Sequence, residues 1–260
     1  MIEKAVIPAA GFGSRVFPLT IAVPKELLPI IDKPMIQFSI DEAIDSEIKN
    51  IAIVIRKGKI AIKKYVTTFI DEGHTGNICY IQQPKPNGLG SAILKSKKWI
   101  NDDPFSVLLP DDIIVDTEPC AKRLISLHKK YGCSIIAVEK VNDVKKYGII
   151  KGIEINENIY RVDDLIEKPT ILNAPSNVGI VGRYILTPEI FSCLRKLVIN
   201  NTKNIELTDA IRLLLEKEDV YAYKIEGKRY DCGNIEGYTE ALIDFVLEKR
   251  EKTLGVIKNG

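Results

Sequence analysis

Short runs of apolar and β-branched residues recur along the first half of the chain, and helix-length segments separate them. The runs lie at 4–9, 50–56, 77–83, 105–111 and 133–141. Strands that are buried on both faces read as nearly continuous apolar runs, so these runs predict parallel strands. The segments of helical length between them lie at 35–47, 59–72, 89–100 and 118–131. Strand alternating with helix predicts βαβ units in a doubly wound α/β fold.

The pattern changes after about residue 145 to that of a mixed sheet. A hairpin-like stretch at 147–169 precedes another apolar run at 177–186, and helical spacing returns at 188–199 and 207–217. The tail at 234–250 carries an apolar stripe with helical spacing. This stripe could pack on the core or on a neighbouring subunit, and the sequence leaves both open.

Composition narrows the classes of protein that this chain can be. Lysine and arginine number 37 against 35 aspartate and glutamate residues, without a block of like charge, so no nucleic-acid polymer is expected as a partner. The five cysteines are scattered and never form a Cys-x-x-Cys pair, which argues against a disulfide framework or a zinc site and favours a reducing cytoplasm. The sequence has no signal-peptide pattern and no apolar run of membrane-spanning length, so no membrane partner is expected.

The stretch 9–29, AAGFGSRVFPLTIAVPKELLP, follows the first predicted strand and contains two glycines. A dinucleotide-binding fingerprint needs a third small residue that lets helix and strand approach, and Val16 stands there instead. A regular helix is also excluded after the glycines, because the stretch is interrupted by Pro18, Pro24 and Pro29. The Gly-Lys-Ser/Thr ending of a Walker A loop does not occur here either.

Two interpretations of this stretch remain after those exclusions. Gly11 and Gly13 could form an ordinary strand-ending turn, in which glycine only supplies a positive φ. Arg15 and Lys25 favour a polyphosphate site, because two cations would then join exposed amides at the carboxyl end of a strand. Open α/β sheets bind their ligands at that edge.

Two adjacent acids, Asp111 and Asp112, end the apolar run VLLPDD. We expect their carboxylates at the same sheet edge as the glycine-rich stretch. Oxygen ligands there suit Mg²⁺, which takes only one or two carboxylates when phosphates and waters complete its shell. The alternative is a turn or helix N-cap aspartate.

Several separate motifs occur along the chain in an order that resembles one family. They are AAGFGSR, FPLTIAVPKELLPIIDKPMIQF, QPKPNGLGSA, LLPDD, YGII, IEKP, APSNVGIVGRYIL, IELTDAI and YDCGNIEGY. In this order they resemble the sugar nucleotidylyltransferases, and within that family the bacterial UTP:glucose-1-phosphate uridylyltransferases. The chain departs from the family's pattern at Ser14, where threonine is commoner, and at Ile21, where lysine is usual.

The resemblance implies a Rossmann-like nucleotide-diphospho-sugar transferase fold, with a mixed, mostly parallel sheet flanked by helices. The chain would be one domain over 1–260. Within it, 1–145 would be the nucleotide-binding half, 146–233 the sugar-binding half and 234–260 a C-terminal helix. We expect a homo-oligomer, either a dimer or a tetramer.

The implied reaction is attack of a glucose 1-phosphate oxygen on the α-phosphorus of UTP, which gives UDP-glucose and pyrophosphate with Mg²⁺ as cofactor. The nucleophile arrives ionised, so positioning and charge neutralisation would carry catalysis without a protein nucleophile or general base. A thymidylyltransferase of the same family shares this chemistry. A catalytically weak paralogue that binds nucleotide sugars and regulates an active partner is the alternative from another functional class.

The resemblance also assigns site residues by role. The catalytic cations would be Arg15, Lys25 and Lys168. The nucleotide-binding positions would be Ala9, Ala10, Gly11, Gly13, Gln83 and Gly88, with Gln82 as the alternative to Gln83. The sugar-binding positions would be Asp112, Gly148, Glu167 and Ile180, and the metal-binding acids Asp111 and Asp231. By contrast, Thr208 and Asp209 are interpreted as capping residues of a structural helix.

Overall fold

The computed structural model describes residues 2–71, 76–200 and 203–258, so the last position of the predicted helix 59–72 and the end of the chain at 259–260 lie outside the described residues. The strands are β1 (Lys4–Pro8), β2 (Pro29–Ile30), β3 (Lys33–Pro34), β4 (Asn50–Ile55), β5 (Asn77–Gln82), β6 (Phe105–Leu108), β7 (Asp112–Val115), β8 (Ser134–Lys140), β9 (Gly148–Asn156), β10 (Ile159–Glu167), β11 (Val178–Leu186), β12 (Val220–Lys224) and β13 (Lys228–Asp231). The α-helices are α1 (Met35–Asp45), α2 (Ile60–Asp71), α3 (Leu89–Lys95), α4 (Lys97–Ile100), α5 (Cys120–Tyr131), α6 (Ile190–Ile199), α7 (Leu207–Leu214) and α8 (Ile235–Lys258). Within the described part of the chain, no helix combines the length and the apolar character needed to cross a bilayer.

Nine strands form one sheet in the order β5-β4-β1-β6-β11-β8-β12-β10-β9. The first four are parallel neighbours, β11 is antiparallel to both β6 and β8, and β8 is parallel to β12. β10 is antiparallel to β12 and to β9, so β10 and β11 run against the common direction of the other strands in this sheet. A mixed, mostly parallel sheet with flanking helices is the predicted fold class, which is thereby confirmed.

Helices cover both faces of the sheet, and the side chains of each strand alternate between them. In β1, Val6 packs in the apolar cluster that includes residues of α3, α6 and α7. Ala5 and Ile7 pack on the opposite face with residues of α1 and α2. All three β1 side chains are fully buried. This double coverage explains why the strands read as continuous apolar runs rather than as alternating ones.

The structure differs from the predicted elements in two respects. The predicted helix 89–100 is divided at Ser96 into α3 and α4. Five short strands, β2, β3, β7, β12 and β13, were not predicted. β2 pairs with β3 and β7 pairs with β13, each pair in a separate two-stranded sheet. The pairing of β7 with β13 joins segments more than a hundred residues apart, which no local pattern encodes.

The parallel strands place their carboxyl ends at one edge of the sheet. The segments that leave β1, β5 and β6 are therefore neighbours in space, although they are far apart in the chain. These segments are the glycine-rich stretch from Ala9, the loop 83–88 and the turn 109–111. The topology thus brings together three of the motifs that the sequence analysis singled out.

Candidate active site

A cleft of about 420 Å³ opens at this edge of the sheet. The three loops form one side of it, and the start of β9, the end of β10 and the segment before α7 form the other. The volume lies within the ~300–1,000 Å³ typical of small-molecule sites. The predicted site residues that line the cleft are Ala10, Gly11, Arg15, Lys25, Gln83, Gly88, Asp111, Asp112, Gly148, Glu167, Lys168, Ile180 and Asp231.

Ala9 and Gly13 are the two predicted site positions outside the lining of this cleft. Ala9 is fully buried and its N–H donates to the Val54 carbonyl at 2.7 Å, so this amide is not free to bind a nucleotide. Gly13 has φ +72°, and a Cβ there would lie 2.9 Å from Cγ2 of Thr20 and 3.0 Å from Cβ of Lys25. Glycine at this position therefore lets the chain fold back on itself, so that Lys25 returns to the cleft.

The glycine-rich stretch continues as three single turns of 3-10 helix, at Ser14–Val16, Leu19–Ile21 and Lys25–Leu27. The expectation that prolines prevent a regular helix here is met. The last turn is anchored by Glu26, whose two carboxylate oxygens accept hydrogen bonds from Lys59 Nζ at 2.6 Å. Both side chains are buried, and burial lowers the pKa of Lys59 although Glu26 opposes the shift.

Lys25 and Asp111 form an ion pair in the cleft. Lys25 Nζ donates to Asp111 Oδ2 at 2.5 Å, and the two side chains are 13% and 18% exposed. Burial alone would lower the pKa of Lys25, but the Asp111 and Glu26 carboxylates raise it above its usual value. Burial likewise opposes the charge of Asp111, and Lys25 nevertheless holds the pKa of that carboxyl below its usual value. Both groups are therefore charged at neutral pH.

Asp231 comes beside the Asp111–Asp112 turn through the antiparallel pairing of β7 with β13, in which Asp112 lies opposite Asp231. A Cβ built on Gly233 would lie 2.8 Å from Asp111 Oδ2 and 2.8 Å from Asp231 Oδ1. The same point is 3.1 Å from Nη2 of Arg15. Two carboxylate oxygens and a guanidinium therefore converge on a small space that glycine leaves open.

Asp112 is engaged by protein groups at both of its oxygens. Oδ1 lies 2.6 Å from Nη2 of Arg229, and Oδ2 accepts a hydrogen bond from the Gly182 N–H at 2.7 Å. Burial raises the pKa of Asp112 despite the adjacent Arg229 guanidinium. A bound sugar would have to share one of these oxygens with its present donor.

Arg229 is a cleft residue that the sequence analysis missed. Its side chain is 5% exposed, pairs with Glu139 as well as Asp112, and lies over the Tyr147 ring with Cζ 5.0 Å from the ring centroid. Tyr147 in turn donates its hydroxyl to Asp231 Oδ2 at 3.1 Å. The period of a strand could have indicated Arg229, because it stands two residues before Asp231 and so shares its face of β13.

Arg183 of β11 is a second missed residue, and it fixes the turn that carries Asp111. Its guanidinium donates to the Leu109 carbonyl at 3.0 Å and to the Asp112 carbonyl at 2.7 Å, on either side of Asp111. It also pairs with Glu42 at 2.7 Å, and its side chain is 1% exposed. A buried guanidinium with all of these partners holds the backbone of the turn in place.

Gly148, Glu167 and Lys168 lie together at the other end of the cleft. The Lys168 ammonium contacts the Glu167 carboxylate, and Lys168 has φ +45°. A Cβ on Gly148 would lie 2.5 Å from Thr208 Oγ1 and 3.2 Å from Glu167 Oε2, so glycine keeps this end of the cleft open. Ile180, which is 6% exposed, adds an apolar wall.

The prediction that Thr208 and Asp209 cap a structural helix is wrong. α7 already begins at Leu207, with Glu206 as its N-cap residue, and no side-chain hydrogen bond caps this helix end. Because Thr208 lies inside the first turn, its hydroxyl meets Gly148 instead of the helix backbone. Glu206, Leu207 and Thr208 line the cleft.

Gln83 and Gly88 define the end of the cleft that faces the loop after β5. Gln83 is 2% exposed, and its side-chain Nε2 lies 3.5 Å from the Gly88 carbonyl. The alternative, Gln82, is exposed and does not line the cleft. Gly88 has φ +100°, and a Cβ there would lie 2.4 Å from the Ile205 carbonyl oxygen, so the loop packs closely against the segment before α7.

The fold and the cleft are those of a nucleotidyl transferase. The sequence profile of the nucleotidyl transferase family matches residues 4–247, and the chain belongs to this family. The family resemblance that the sequence motifs indicate is therefore confirmed.

Individual relatives narrow the comparison further. The chain is 39% identical over 279 residues to the UTP–glucose-1-phosphate uridylyltransferase of Pseudomonas aeruginosa, covering 97% of this chain and 99% of the relative. It is 40% identical over 271 residues to the UTP–glucose-1-phosphate uridylyltransferase of Bacillus subtilis, covering 96% and 93%. The crystal structure of UDP-glucose pyrophosphorylase complexed with UDP-glucose matches with a TM-score of 0.89 and 38% identity, over 95% of this chain and 100% of that one.

Proposed function

We propose that this chain transfers a uridylyl group from UTP to glucose 1-phosphate and releases UDP-glucose and pyrophosphate. The observation that carries the proposal is the convergence of Lys25, Asp111 and Asp231 in one cleft. Gln83 and Glu167 line the same cleft and offer it different chemistry, an amide and a carboxylate. The similarity to uridylyltransferases supports the choice of nucleotide and sugar.

In the proposed reaction an oxygen of glucose 1-phosphate attacks the α-phosphorus of UTP. A new phosphorus–oxygen bond forms, and the bond from the α-phosphorus to the oxygen of the leaving pyrophosphate breaks. The attacking phosphate is already ionised, so the protein contributes position and charge neutralisation. Arg15 and Lys25 would neutralise the charge that develops on pyrophosphate, and Lys168 would hold the sugar phosphate beside the α-phosphate.

The donor set around Gly233 fits a magnesium ion. Asp111 and Asp231 offer carboxylate oxygens, the ligands that Mg²⁺ prefers, and one or two such groups suffice because phosphates and waters complete its shell. The space that a Cβ of Gly233 would fill lies 2.8 Å from one oxygen of each acid. Asp111 and Asp231 would hold Mg²⁺, which would supply charge neutralisation at the phosphates. Lys25 would then exchange Asp111 for a phosphate oxygen.

The nucleotide would bind along the loops after β1 and β5. The Gln83 side chain can donate and accept, as the edge of uracil requires, and Gly88 allows a close approach at the same loop. The amides of Ala10 and Gly11 would hold the phosphates. Ala9 is fully buried outside the cleft lining and its N–H is bonded to Val54, so its proposed effect is to position the Ala10 and Gly11 amides.

The sugar would bind at the opposite end. Glu167 would accept hydrogen bonds from sugar hydroxyls, while Gly148 and Ile180 would shape the space for the ring. Asp112 has both oxygens occupied by Arg229 and Gly182, so we assign its main effect to holding Arg229 in place.

We also infer the division of labour along the chain, its assembly and its compartment. Nucleotide binding is assigned to 1–145 and sugar binding to 146–233. Helix α8 exposes Ile243, Val246 and Leu247, an apolar surface that supports a homo-oligomer in which a second copy covers it. The cysteines are free thiols, which supports a cytoplasmic enzyme.

Pyrophosphate release tests the proposal. UTP, dTTP and CTP would each be combined with glucose 1-phosphate and galactose 1-phosphate in the presence of Mg²⁺. We expect the highest kcat/KM for UTP with glucose 1-phosphate. Faster release with dTTP would identify the sister activity, and tight UDP-glucose binding without turnover in any combination would identify a regulatory paralogue.

A further inference from the structure

Glu206 lines the cleft directly before α7, and its side chain is half-buried. The backbone just before it is bonded to the loop after β5. Ile205 N–H donates to the Asn87 carbonyl at 3.0 Å, and Gly90 N–H donates to the Ile205 carbonyl at 2.8 Å. The position of Glu206 is therefore fixed relative to the loop 83–88.

The residues after Glu206 fix it relative to the sugar end. Thr208 Oγ1 would lie 2.5 Å from a Cβ of Gly148, and Glu167 Oε2 would lie 3.2 Å from the same point. The Thr208 hydroxyl, the Glu167 carboxylate and the Gly148 backbone therefore surround one space. Glu206, two residues before Thr208, lines the same cleft. Lys168 and Glu167 are close enough to Glu206 to interact with it electrostatically.

The Glu206 carboxylate is half-buried and makes no hydrogen bond or ion pair with any residue that the structure describes. Burial raises the pKa of Glu206, the Lys168 ammonium opposes this shift, and the Glu167 and Asp209 carboxylates add to it. Lys168, the cation that acts on Glu206, makes its ion pair with Glu167. A partly desolvated carboxylate without a donor is costly, and a donor supplied by a ligand would remove that cost.

We propose that Glu206 is a further sugar-binding residue, whose carboxylate accepts a hydrogen bond from a hydroxyl of the hexose ring. This inference rests on the proposed function, because it places the hexose at the Gly148–Glu167 end of the cleft. With Glu167, the hexose would then meet two carboxylate acceptors. Glu206 thus adds selectivity for a sugar with hydroxyls in the matching positions.

Calorimetric binding and steady-state kinetics of wild type, Glu206→Gln and Glu206→Ala test the inference. For Glu206→Ala we expect the Kd for UDP-glucose and the KM for glucose 1-phosphate to rise about 10-fold or more, as for loss of a hydrogen bond to a charged group. Glu206→Gln keeps the shape and one acceptor and should fall between Ala and wild type. The Kd and KM for UTP should stay within about twofold of wild type in both variants.

Monodeoxy analogues of glucose 1-phosphate separate a hydroxyl contact from a structural effect. Removing one of the four hydroxyls, at position 2, 3, 4 or 6, should raise the KM of wild type as much as Glu206→Ala raises the KM for glucose 1-phosphate. The same deoxy sugar should not raise the KM of Glu206→Ala any further. Glu216→Gln is the matched control, since this glutamate lies beyond α7 with a side chain that is 65% exposed.

The inference would be overturned if Glu206→Ala bound UDP-glucose as tightly as wild type does. It would also be overturned if all four deoxy sugars raised the KM of Glu206→Ala by the same factor as that of wild type. These outcomes differ from a failure of the proposed function. If wild type bound UDP-glucose but released no pyrophosphate, the proposed function would fail, while the binding comparison would still decide the role of Glu206.

Discussion

Lys25 and Asp111 lie 86 residues apart in the chain, and their side chains meet at 2.5 Å in the cleft. In the free protein the Lys25 ammonium and the Asp111 carboxylate neutralise each other, so neither partly buried group carries an unpaired charge. Substrate and metal would separate the pair, with the ammonium turning to a phosphate and the carboxylate to Mg²⁺. The ion pair thus holds two reactive groups charged and close to their places before the substrates arrive.

Replacing Lys25 with alanine should nearly abolish turnover. Loss of one preorganised transition-state contact typically costs about 10²–10³ in kcat, and the variant also leaves Asp111 without its partner. The check is kcat for pyrophosphate release at saturating UTP and glucose 1-phosphate. Lys33→Ala, which removes a lysine paired with Asp41 outside the cleft lining, should retain wild-type kcat. A Lys25→Ala enzyme with kcat within about threefold of wild type would contradict the role of Lys25.

Gly233→Ala should weaken the response to Mg²⁺ while the fold survives. The added methyl would occupy the point 2.8 Å from oxygens of Asp111 and Asp231, which is the space assigned to the metal. The measurement is the Mg²⁺ concentration for half-maximal activity, together with the melting temperature. Lys33→Ala is the control and should keep the wild-type response to Mg²⁺, because Lys33 pairs with Asp41 and lies outside the cleft lining. An unchanged Mg²⁺ response in Gly233→Ala would mean that the metal sits elsewhere.

Arg229→Met should destabilise the protein. The substitution leaves the buried Asp112 and the partly buried Glu139 without their shared cation, and breaking a buried ion pair such as Arg229–Asp112 costs about 3–5 kcal/mol. Urea denaturation gives the free energy of unfolding. The neighbouring Lys228→Met removes a half-exposed lysine that pairs with Glu240 and Asp244, so it should change stability by no more than about 1 kcal/mol. Equal effects of the two substitutions would contradict the account of Arg229.

Alkaline pH should weaken the fold. Burial raises the pKa of the Cys133 thiol to about 12 and that of Tyr223 to about 12. Above pH 8 the unfolded chain releases protons that the folded protein still holds, so the free energy of unfolding falls as pH rises. The loss begins near the unfolded pKa values of about 8.5 and 10. Urea denaturation at pH 7, 8.5 and 10 measures it, and Tyr223→Phe should show a smaller loss between pH 8.5 and 10. A free energy of unfolding that rises over this range would refute the assignment.

Much of the fold could be predicted because its core strands are covered on both faces. The runs at β1, β4, β6 and β8 stand out as apolar segments for this reason, and the edge strand β5, although only half-buried, is also an apolar run. The strands β7 and β13 could not be found in this way. They are short, and their pairing across more than a hundred residues is a tertiary event that local pattern does not encode.

The site was predictable where motifs carry the chemistry and unpredictable where burial decides it. Lys25 and Asp111 lie in recognisable motifs, and both line the cleft. Arg183 and Glu206 lie within the motifs APSNVGIVGRYIL and IELTDAI, and Arg229 lies just before YDCGNIEGY, but the motifs assign them no role. Their roles follow only from the partners that folding brings to them or withholds. The capping interpretation of Thr208 failed for a related reason, since Glu206 is the N-cap residue of α7 and the Thr208 hydroxyl lies beside Gly148.

Ile21, where the family usually has lysine, lies outside the lining of the cleft and is 72% exposed. Phe12, Phe17 and Leu19 of the same stretch are exposed as well. Isoleucine in place of lysine at position 21 therefore leaves the ion pair of Lys25 with Asp111 intact. Nothing in the structure explains the isoleucine itself.

The most direct measurement of the central claim follows the phosphorus of the sugar phosphate. Glucose 1-phosphate labelled with ³²P would be incubated with unlabelled UTP, Mg²⁺ and the enzyme, and the products separated. All transferred label should appear in UDP-glucose, with one unlabelled pyrophosphate released for each molecule of UDP-glucose formed. Label in inorganic phosphate or pyrophosphate, or pyrophosphate release without a labelled sugar nucleotide, would contradict attack of the sugar phosphate on the α-phosphorus.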